Sequence, residues 1–177
     1  MVLGEIMDRP SYYLMKSFVR RQLKRMNGLS VCDVGSCNVD AKSELTFREL
    51  FWRHKYIGLD ITEGKNVDVV SKELYRYPFD DETFDVVVSG NTIEHIKDLH
   101  KWVLELKRIT KKEGLICIVG PSAFHMRHLH PVDCWRVYPD GMKFLLEEIA
   151  GLEVIKIRTT NSRIRTVICM GIGKRHD

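Results

Sequence analysis

Residues 29–38 read Leu29-Ser30-Val31-Cys32-Asp33-Val34-Gly35-Ser36-Cys37-Asn38, an apolar run that ends in a glycine turn. A helical pattern opens directly after this stretch, so the sequence predicts a strand, a tight turn and a helix in succession. Such a turn brings backbone N–H groups and the positive end of a helix close to a ligand. The turn is therefore the first candidate for a ligand site.

A second predicted strand ends in a carboxylate, and it reads Tyr56-Ile57-Gly58-Leu59-Asp60. It follows the first after about twenty-five residues, the spacing at which a doubly wound sheet binds a ribose. The two strand ends at Gly35 and Asp60 together predict a nucleoside-containing ligand.

Apolar strands and amphipathic helices alternate along the rest of the chain. Further strands are predicted at about 67–70, 84–89, 115–119, 152–158 and 166–172, and helices at about 11–26, 40–54, 99–109 (ended by residues 111–114) and 140–150. This order predicts an α/β fold, a Rossmann-like, doubly wound and mostly parallel seven-stranded sheet with a terminal antiparallel hairpin. Right-handed crossovers place the strand ends at Gly35, Asp60, Ser89 and Pro121 along one rim, where the site is expected.

Composition indicates the broad class of protein. The chain has 177 residues, 44% of them hydrophobic and 29% charged, with a net charge of +4, as in an ordinary soluble globular domain. We expect one domain over residues 1–177, with the basic amphipathic helix in residues 1–28 as an accessory element. No secretory leader, membrane span or C-x-x-C pair is recognisable, so a cytoplasmic location is expected.

The first predicted helix carries a row of cations, Lys16, Arg20 and Lys24, with Arg21 and Arg25 beside it. Such rows are usually solvated helix faces, and we favour that interpretation. Binding of phosphate or of an anionic surface remains the alternative.

These segments together resemble the class I S-adenosylmethionine-dependent methyltransferases, in particular the compact type 11 family, over about residues 29–154. The resemblance is carried by residues 31–35, 56–60, 77–87, 91–96 and 106–114 in this order. It implies S-adenosylmethionine as the cofactor, and by position it implies these binding residues: Asp33, Gly35, Ser36, Cys37, Asp60, Ile61, Glu73, Leu74, Ser89 and Asn91. Asp60 would bind the ribose hydroxyls, and Glu73 and Leu74 would lie beside the adenine. The family usually has two more glycines in the first loop, where this chain has Cys37 and Val39.

The histidine-rich loop, residues 121–136, follows the strand at 115–119 and is expected at the same rim. In one interpretation His125 or His130 is a general base that Asp133 orients, because a neutral imidazole suits that role. In a second, His125, His128, His130 and Asp133 supply ligands for a divalent metal, which is possible but not favoured. In a third, these residues only stabilise a Pro-bounded loop. Candidate substrate-binding residues around the loop are Glu94, His95, Arg127, Trp135 and Arg136.

The expected activity is methylation of a hydroxyl on a small molecule or a glycan unit. Residues 89–92, Ser-Gly-Asn-Thr, lack the proline turn of nucleobase amine methyltransferases, so nucleic acid is not the expected partner. The alternatives are a binding or scaffold protein that has lost the cofactor, and an RNA methyltransferase that uses the basic first helix. The sequence leaves the oligomeric state open.

Overall fold

The computed structural model describes residues 9–38, 45–127, 132–161 and 167–177. The predicted α/β sheet is confirmed, with seven strands in the order β3-β2-β1-β4-β5-β7-β6. The strands are β1 (Ser30–Val34), β2 (Lys55–Asp60), β3 (Val69–Val70), β4 (Phe84–Gly90), β5 (Thr110–Pro121), β6 (Glu153–Asn161) and β7 (Val167–Lys174). The first five are parallel, and β7 lies antiparallel between β5 and β6.

Helices cover both faces of the sheet. They are α1 (Arg9–Gln22), α2 (Leu99–Ile109) and α3 (Pro139–Phe144), and α3 continues as one π-helical segment over Leu145–Ile149. The apolar side chains of α2 and α3 share one core with one face of the sheet. Those of α1 and of a 3₁₀ turn at Arg48–Phe51 share a second core with the other face. Among the described residues, no helix has the length and apolar character that a membrane crossing requires.

Two predicted elements differ from the structure. A helix is expected at about 40–54, and the structure describes this segment from residue 45. The described part contains the 3₁₀ turn Arg48–Phe51 and no α-helix. Residues 111–114, expected to end a helix, belong to β5, because Thr110 is already extended, with φ −85° and ψ 132°, and ends α2 as its C-cap. These residues form a bulge in β5, because Thr110 pairs with Phe84 of β4 and the next paired residue of β5 is Leu115, opposite Val86.

The carboxyl ends of β1, β2, β4 and β5 meet at one rim, as the parallel order requires. Helix α1 also reaches this rim, where the buried Ser11 hydroxyl donates to the Asn91 side-chain oxygen at 2.9 Å. The first helix is thus joined to the edge at which the site is expected.

Candidate cofactor and acceptor site

Gly35 opens the cofactor loop, residues 35–38, after β1. Its φ of +78° is a left-handed conformation, and its N–H donates to the Leu59 carbonyl at 2.8 Å. A Cβ at this position would lie 2.0 Å from Thr92 Oγ1. Backbone conformation and close contact therefore both require glycine here.

Asp60 joins the ends of β1 and β2. Its Oδ2 accepts the Cys37 backbone N–H at 2.9 Å, and its Oδ1 accepts the Ile61 N–H at 2.7 Å. Oδ1 also accepts two longer bonds from Thr62, from its N–H at 3.3 Å and its hydroxyl at 3.5 Å. Oδ2 accepts only the Cys37 N–H among the described residues, and since a carboxylate oxygen can accept about two bonds, it keeps capacity for a further donor. The half-buried side chain can hold the loop and bind a diol at the same time.

Two glycines of β2 and its following turn make room for the non-glycine residues of the cofactor loop. A Cβ at Gly64 would lie 2.6 Å from Cys37 Sγ, and one at Gly58 would lie 2.6 Å from Ser36 Oγ. Cys37 therefore fits because the facing residue has no side chain. Sequence reasoning assigned neither Gly58 nor Gly64 to the site, although both were visible as glycines near the end of a ribose-binding strand.

A side-chain network supports the cofactor loop from behind. Asn66 Nδ2 donates to the Ser36 carbonyl and to the Tyr56 hydroxyl, both at 3.0 Å. The Arg48 guanidinium donates to Asn66 Oδ1 at 2.8 Å, pairs with Asp68 at 2.6 Å and lies 4.4 Å from the centre of the Tyr56 ring. Sequence reasoning missed this network, because it joins three segments that no local pattern brings together.

Asp33 is a buried carboxyl below the cofactor loop, only 2% exposed. Tyr56 donates its hydroxyl to Oδ2, whereas Oδ1 has no hydrogen-bond partner among the described residues. Burial, more than any other cause, raises the pKa of Asp33 to about 7. A ligand that brings a donor or a positive charge to this rim would therefore stabilise the carboxylate.

The segment after β3 is hydrogen-bonded to the end of β2. Ser71 N–H donates to the Asp60 carbonyl at 2.8 Å, and Lys72 Nζ donates to the Ile61 carbonyl at 2.9 Å. Glu73, exposed, and Leu74, half-buried, follow directly. The resemblance assigns these two residues to the adenine of the cofactor.

The end of β4 is fixed by buried hydrogen bonds. The Ser89 hydroxyl is fully buried and donates to the Val34 carbonyl at 2.7 Å, which holds β4 to β1. Asn91 follows with a φ of +52°, and its N–H donates to the Val119 carbonyl at 2.9 Å. Both residues shape the floor of the rim between the cofactor loop and β5.

The second half of the histidine-rich loop is fastened to the 3₁₀ turn Ile93–His95 after β4. Cys134 N–H donates to the Glu94 carbonyl at 2.7 Å, and the Trp135 indole N–H donates to the Ile96 carbonyl at 2.6 Å. His95 Nδ1 binds the Val132 carbonyl, and its Nε2 lies 3.9 Å from Oε1 of the buried Glu94. These bonds place the loop at the mouth of the rim.

The two candidate catalytic residues in the described part of this loop have different surroundings. His125 Nδ1 lies 3.0 Å from the Met126 carbonyl, which can only accept, so this contact is a hydrogen bond in the tautomer that carries its proton on Nδ1. The Asp133 side chain is 1% exposed and binds Arg136 with both oxygens. Arg136 also donates to the Met126 carbonyl at 2.9 Å and so links the two halves of the loop.

The third candidate, His130, lies outside the described residues, as does His128. Arg127 is exposed at the end of the described first half of the loop. Across residues 9–38, 45–127, 132–161 and 167–177, no group of three or more His, Cys, Asp or Glu side chains is placed to hold a metal ion.

Comparison with known proteins agrees with this geometry. A family model described as a methyltransferase domain matches residues 32–118, from β1 into β5. A chloroplastic 2-methyl-6-phytyl-1,4-hydroquinone methyltransferase of Oryza sativa subsp. japonica is 27% identical over 110 residues, which are 57% of this chain and 29% of that protein. The chain therefore spans less than a third of the length of this curated relative.

Two solved structures share the fold. A SAM dependent methyltransferase from Aquifex aeolicus matches with a TM-score of 0.60 and 19% identity, over 92% of this chain and 97% of the other. The 1,6-didemethyltoxoflavin-N1-methyltransferase of Burkholderia thailandensis, solved with S-adenosylhomocysteine, matches with a TM-score of 0.72 and 12% identity, over 96% and 80%.

The sheet order and the rim define a class I methyltransferase fold. The methyltransferase-domain match covers just under half of the chain, and together with the shared fold it makes the chain similar to the S-adenosylmethionine-dependent methyltransferases. The residues present fit the family's cofactor: Asp60 has acceptor capacity for a diol, and Asp33 has a buried oxygen without a donor among the described residues. Gly64 leaves room for the Cys37 side chain, whereas Val39, the other non-glycine residue of this loop, lies outside the described residues.

Proposed function

We propose that this chain transfers a methyl group from S-adenosylmethionine to a hydroxyl of a small molecule or glycan unit, with base assistance from the histidine-rich loop. The observation that supports the proposal most directly concerns Asp60. Its carboxylate joins the cofactor loop to the end of β2 and keeps acceptor capacity for a ribose. When bound, the cofactor supplies an electrophilic methyl group on a sulfonium, so the chain itself has to align the acceptor and remove its proton.

The cofactor residues act by binding and orientation. Asp60 would accept from the two ribose hydroxyls, which suit a carboxylate that can accept twice. Ile61, Glu73 and Leu74 would border the adenine. The backbone of the loop from Gly35 to Cys37, together with Asp33, would contact the methionine end of the cofactor. Ser89 and Asn91 would form the floor of the site.

The base would come from the histidine-rich loop. In the His125 tautomer with its proton on Nδ1, Nε2 is the nitrogen that can take a proton from a hydroxyl. His130 is the second candidate. Asp133 would act as a positioning residue, because its pairing with Arg136 holds the loop that carries both histidines.

The acceptor class is proposed from the side chains at the mouth. Phe124, Met126, Trp135 and Tyr138 are exposed in or directly after the histidine-rich loop, and aromatic faces suit a sugar or aromatic ring. Arg127 and Arg136 provide cations for a carboxylate or phosphate on the acceptor. His95 would contact the acceptor from the 3₁₀ turn to which the loop is fastened, with the Glu94 side chain buried beside it.

Methyl transfer to an acceptor panel tests the proposal. The purified chain is incubated with S-adenosylmethionine carrying a labelled methyl group and with catechols, sugars and amines of matched size. The proposal is supported if the label appears in a methyl ether of a hydroxyl acceptor. His125→Gln should slow this methyl transfer by about tenfold or more, as expected for loss of a general base. Label on amines only, or in no acceptor although the cofactor binds, would contradict it.

A further inference from the structure

A groove of about 720 Å³ runs along the outer side of α1, away from the cofactor loop. We call it the basic groove, and it is bordered by α1 on one side and by residues 50–54 on the other. Its walls carry five cations, Lys16, Arg20, Arg21, Lys24 and Arg53. We propose that the basic groove binds a single strand of nucleic acid through its phosphates and bases.

The cations of the basic groove have no carboxylate partner in the part of the chain that the structure describes. Among the residues that the structure describes, none that lines the groove is acidic, and none of its five cations pairs with a carboxylate. Arg158 of β6 extends the same charge, since its guanidinium donates to Ser17 of the groove at 3.4 Å. So many neighbouring cations repel one another, and a polyanion relieves that repulsion.

The cations are arranged in a row. Lys16 and Arg20 lie four residues apart on α1, a step of about 6 Å because an α-helix rises about 1.5 Å per residue. Lys24 follows in the turn directly after α1 and lines the same groove. Several successive cations along one groove suit the successive phosphates of a strand, whereas a single small anion would use only one or two of them.

Aromatic side chains stand among these cations. Trp52 is 73% exposed on the groove wall, and the Arg53 guanidinium lies 4.6 Å from the centre of its ring. Tyr13 is 61% exposed on α1. Cations interleaved with exposed aromatic rings are the usual composition of sites that bind single strands, where bases stack on the rings.

An anionic membrane is the other polyanion to consider, and the burial of α1 argues against it. A helix that binds a bilayer inserts its apolar face into the lipid. The apolar face of α1, with Leu14, Met15 and Phe18, is buried in the protein core. The groove is also concave, which suits a strand better than a flat surface.

Fluorescence anisotropy tests the proposal. A labelled uridylate oligomer of about twelve nucleotides is titrated with the intact chain at about 50 and about 200 mM salt. We expect binding that weakens steeply with salt and falls by about tenfold in Arg20→Glu and in Trp52→Ala. Lys112→Glu is the matched control, because it makes the same charge change at an exposed residue outside the groove. Melting temperatures of all variants confirm that the fold is intact.

Two comparisons separate the strand from other polyanions. Heparin has charges without bases, so Arg20→Glu should weaken its binding while Trp52→Ala should not. Vesicles of phosphatidylcholine with phosphatidylglycerol should bind more weakly than the oligomer at the same salt. The proposal is overturned if the oligomer does not bind at low salt, if Lys112→Glu weakens binding as much as Arg20→Glu, or if vesicles bind more tightly than the oligomer.

Discussion

The backbone N–H of Cys37 and the carboxylate of Asp60 are joined by a hydrogen bond of 2.9 Å between the ends of β1 and β2. The two strand ends that the sequence assigns to one ligand are therefore already tied together by the protein itself. A loop held in this way loses less freedom when a ligand binds, which favours affinity.

Gly64→Ala tests the fit between Cys37 and the facing turn. The new Cβ would lie 2.6 Å from Cys37 Sγ, so we expect a loss of about 1–3 kcal/mol in the free energy of unfolding and weaker cofactor binding. Cys37→Ala in the same chain should recover most of the loss. Gly141→Ala is the control, because its Cβ would meet nothing closer than Val137 at 3.7 Å. If Gly64→Ala lowers the free energy of unfolding as much in the Cys37→Ala chain as in the wild type, a steric clash with Cys37 is not the cause.

Asp33→Asn tests the buried carboxyl. Because burial raises the pKa of Asp33 to about 7, the folded protein holds this proton more tightly than the unfolded chain does. Stability should therefore fall as the pH rises from about 4 through about 7, and the cost above that range is a few kcal/mol. Asp33→Asn should remove this fall and leave stability below about pH 4 nearly unchanged. The measurement is urea unfolding across this range.

The exposed Asp80 provides the control for that experiment, since Asp80→Asn removes a carboxylate from the surface. Curves of unfolding free energy against pH that run parallel for the wild type and Asp33→Asn would show that Asp33 does not titrate as inferred.

Arg136→Lys tests the link across the histidine-rich loop. Lysine keeps the charge but cannot bind both Asp133 oxygens and the Met126 carbonyl together. We expect faster cleavage of the loop by chymotrypsin and turnover slower by about tenfold, with unchanged cofactor affinity. Asp133→Asn should have a similar effect, and the double variant should add little to either. Fully additive losses would mean that the two residues act separately.

The sheet and its rim could be predicted because alternating apolar segments and right-handed crossovers leave few topologies. Gly35 and Asp60 could be placed on one rim for the same reason. The supporting network of Arg48, Tyr56 and Asn66 could not, since it depends on side chains from distant segments that only the fold brings together.

Local signals also misled where tertiary pairing decided the structure. Residues 111–114 contain cations and a glycine, which are typical of a helix end. They belong to β5 instead, because Thr110, directly after α2, already pairs with Phe84 of β4. Asp133 was expected to orient a histidine, and its bond to Arg136 could not be read from spacing alone. The roles assigned to the site residues stay predictions.

The most direct test is calorimetric titration of S-adenosylmethionine into the wild-type chain, Asp60→Ala and the control Glu148→Ala, which removes an exposed carboxylate of the π-helical segment. We predict binding by the wild type and by Glu148→Ala, and a loss of about tenfold to a hundredfold in Asp60→Ala, the value of charged hydrogen bonds to two hydroxyls. An absence of binding by the wild type, or equal affinity in Asp60→Ala, would contradict the assignment of this rim to the cofactor.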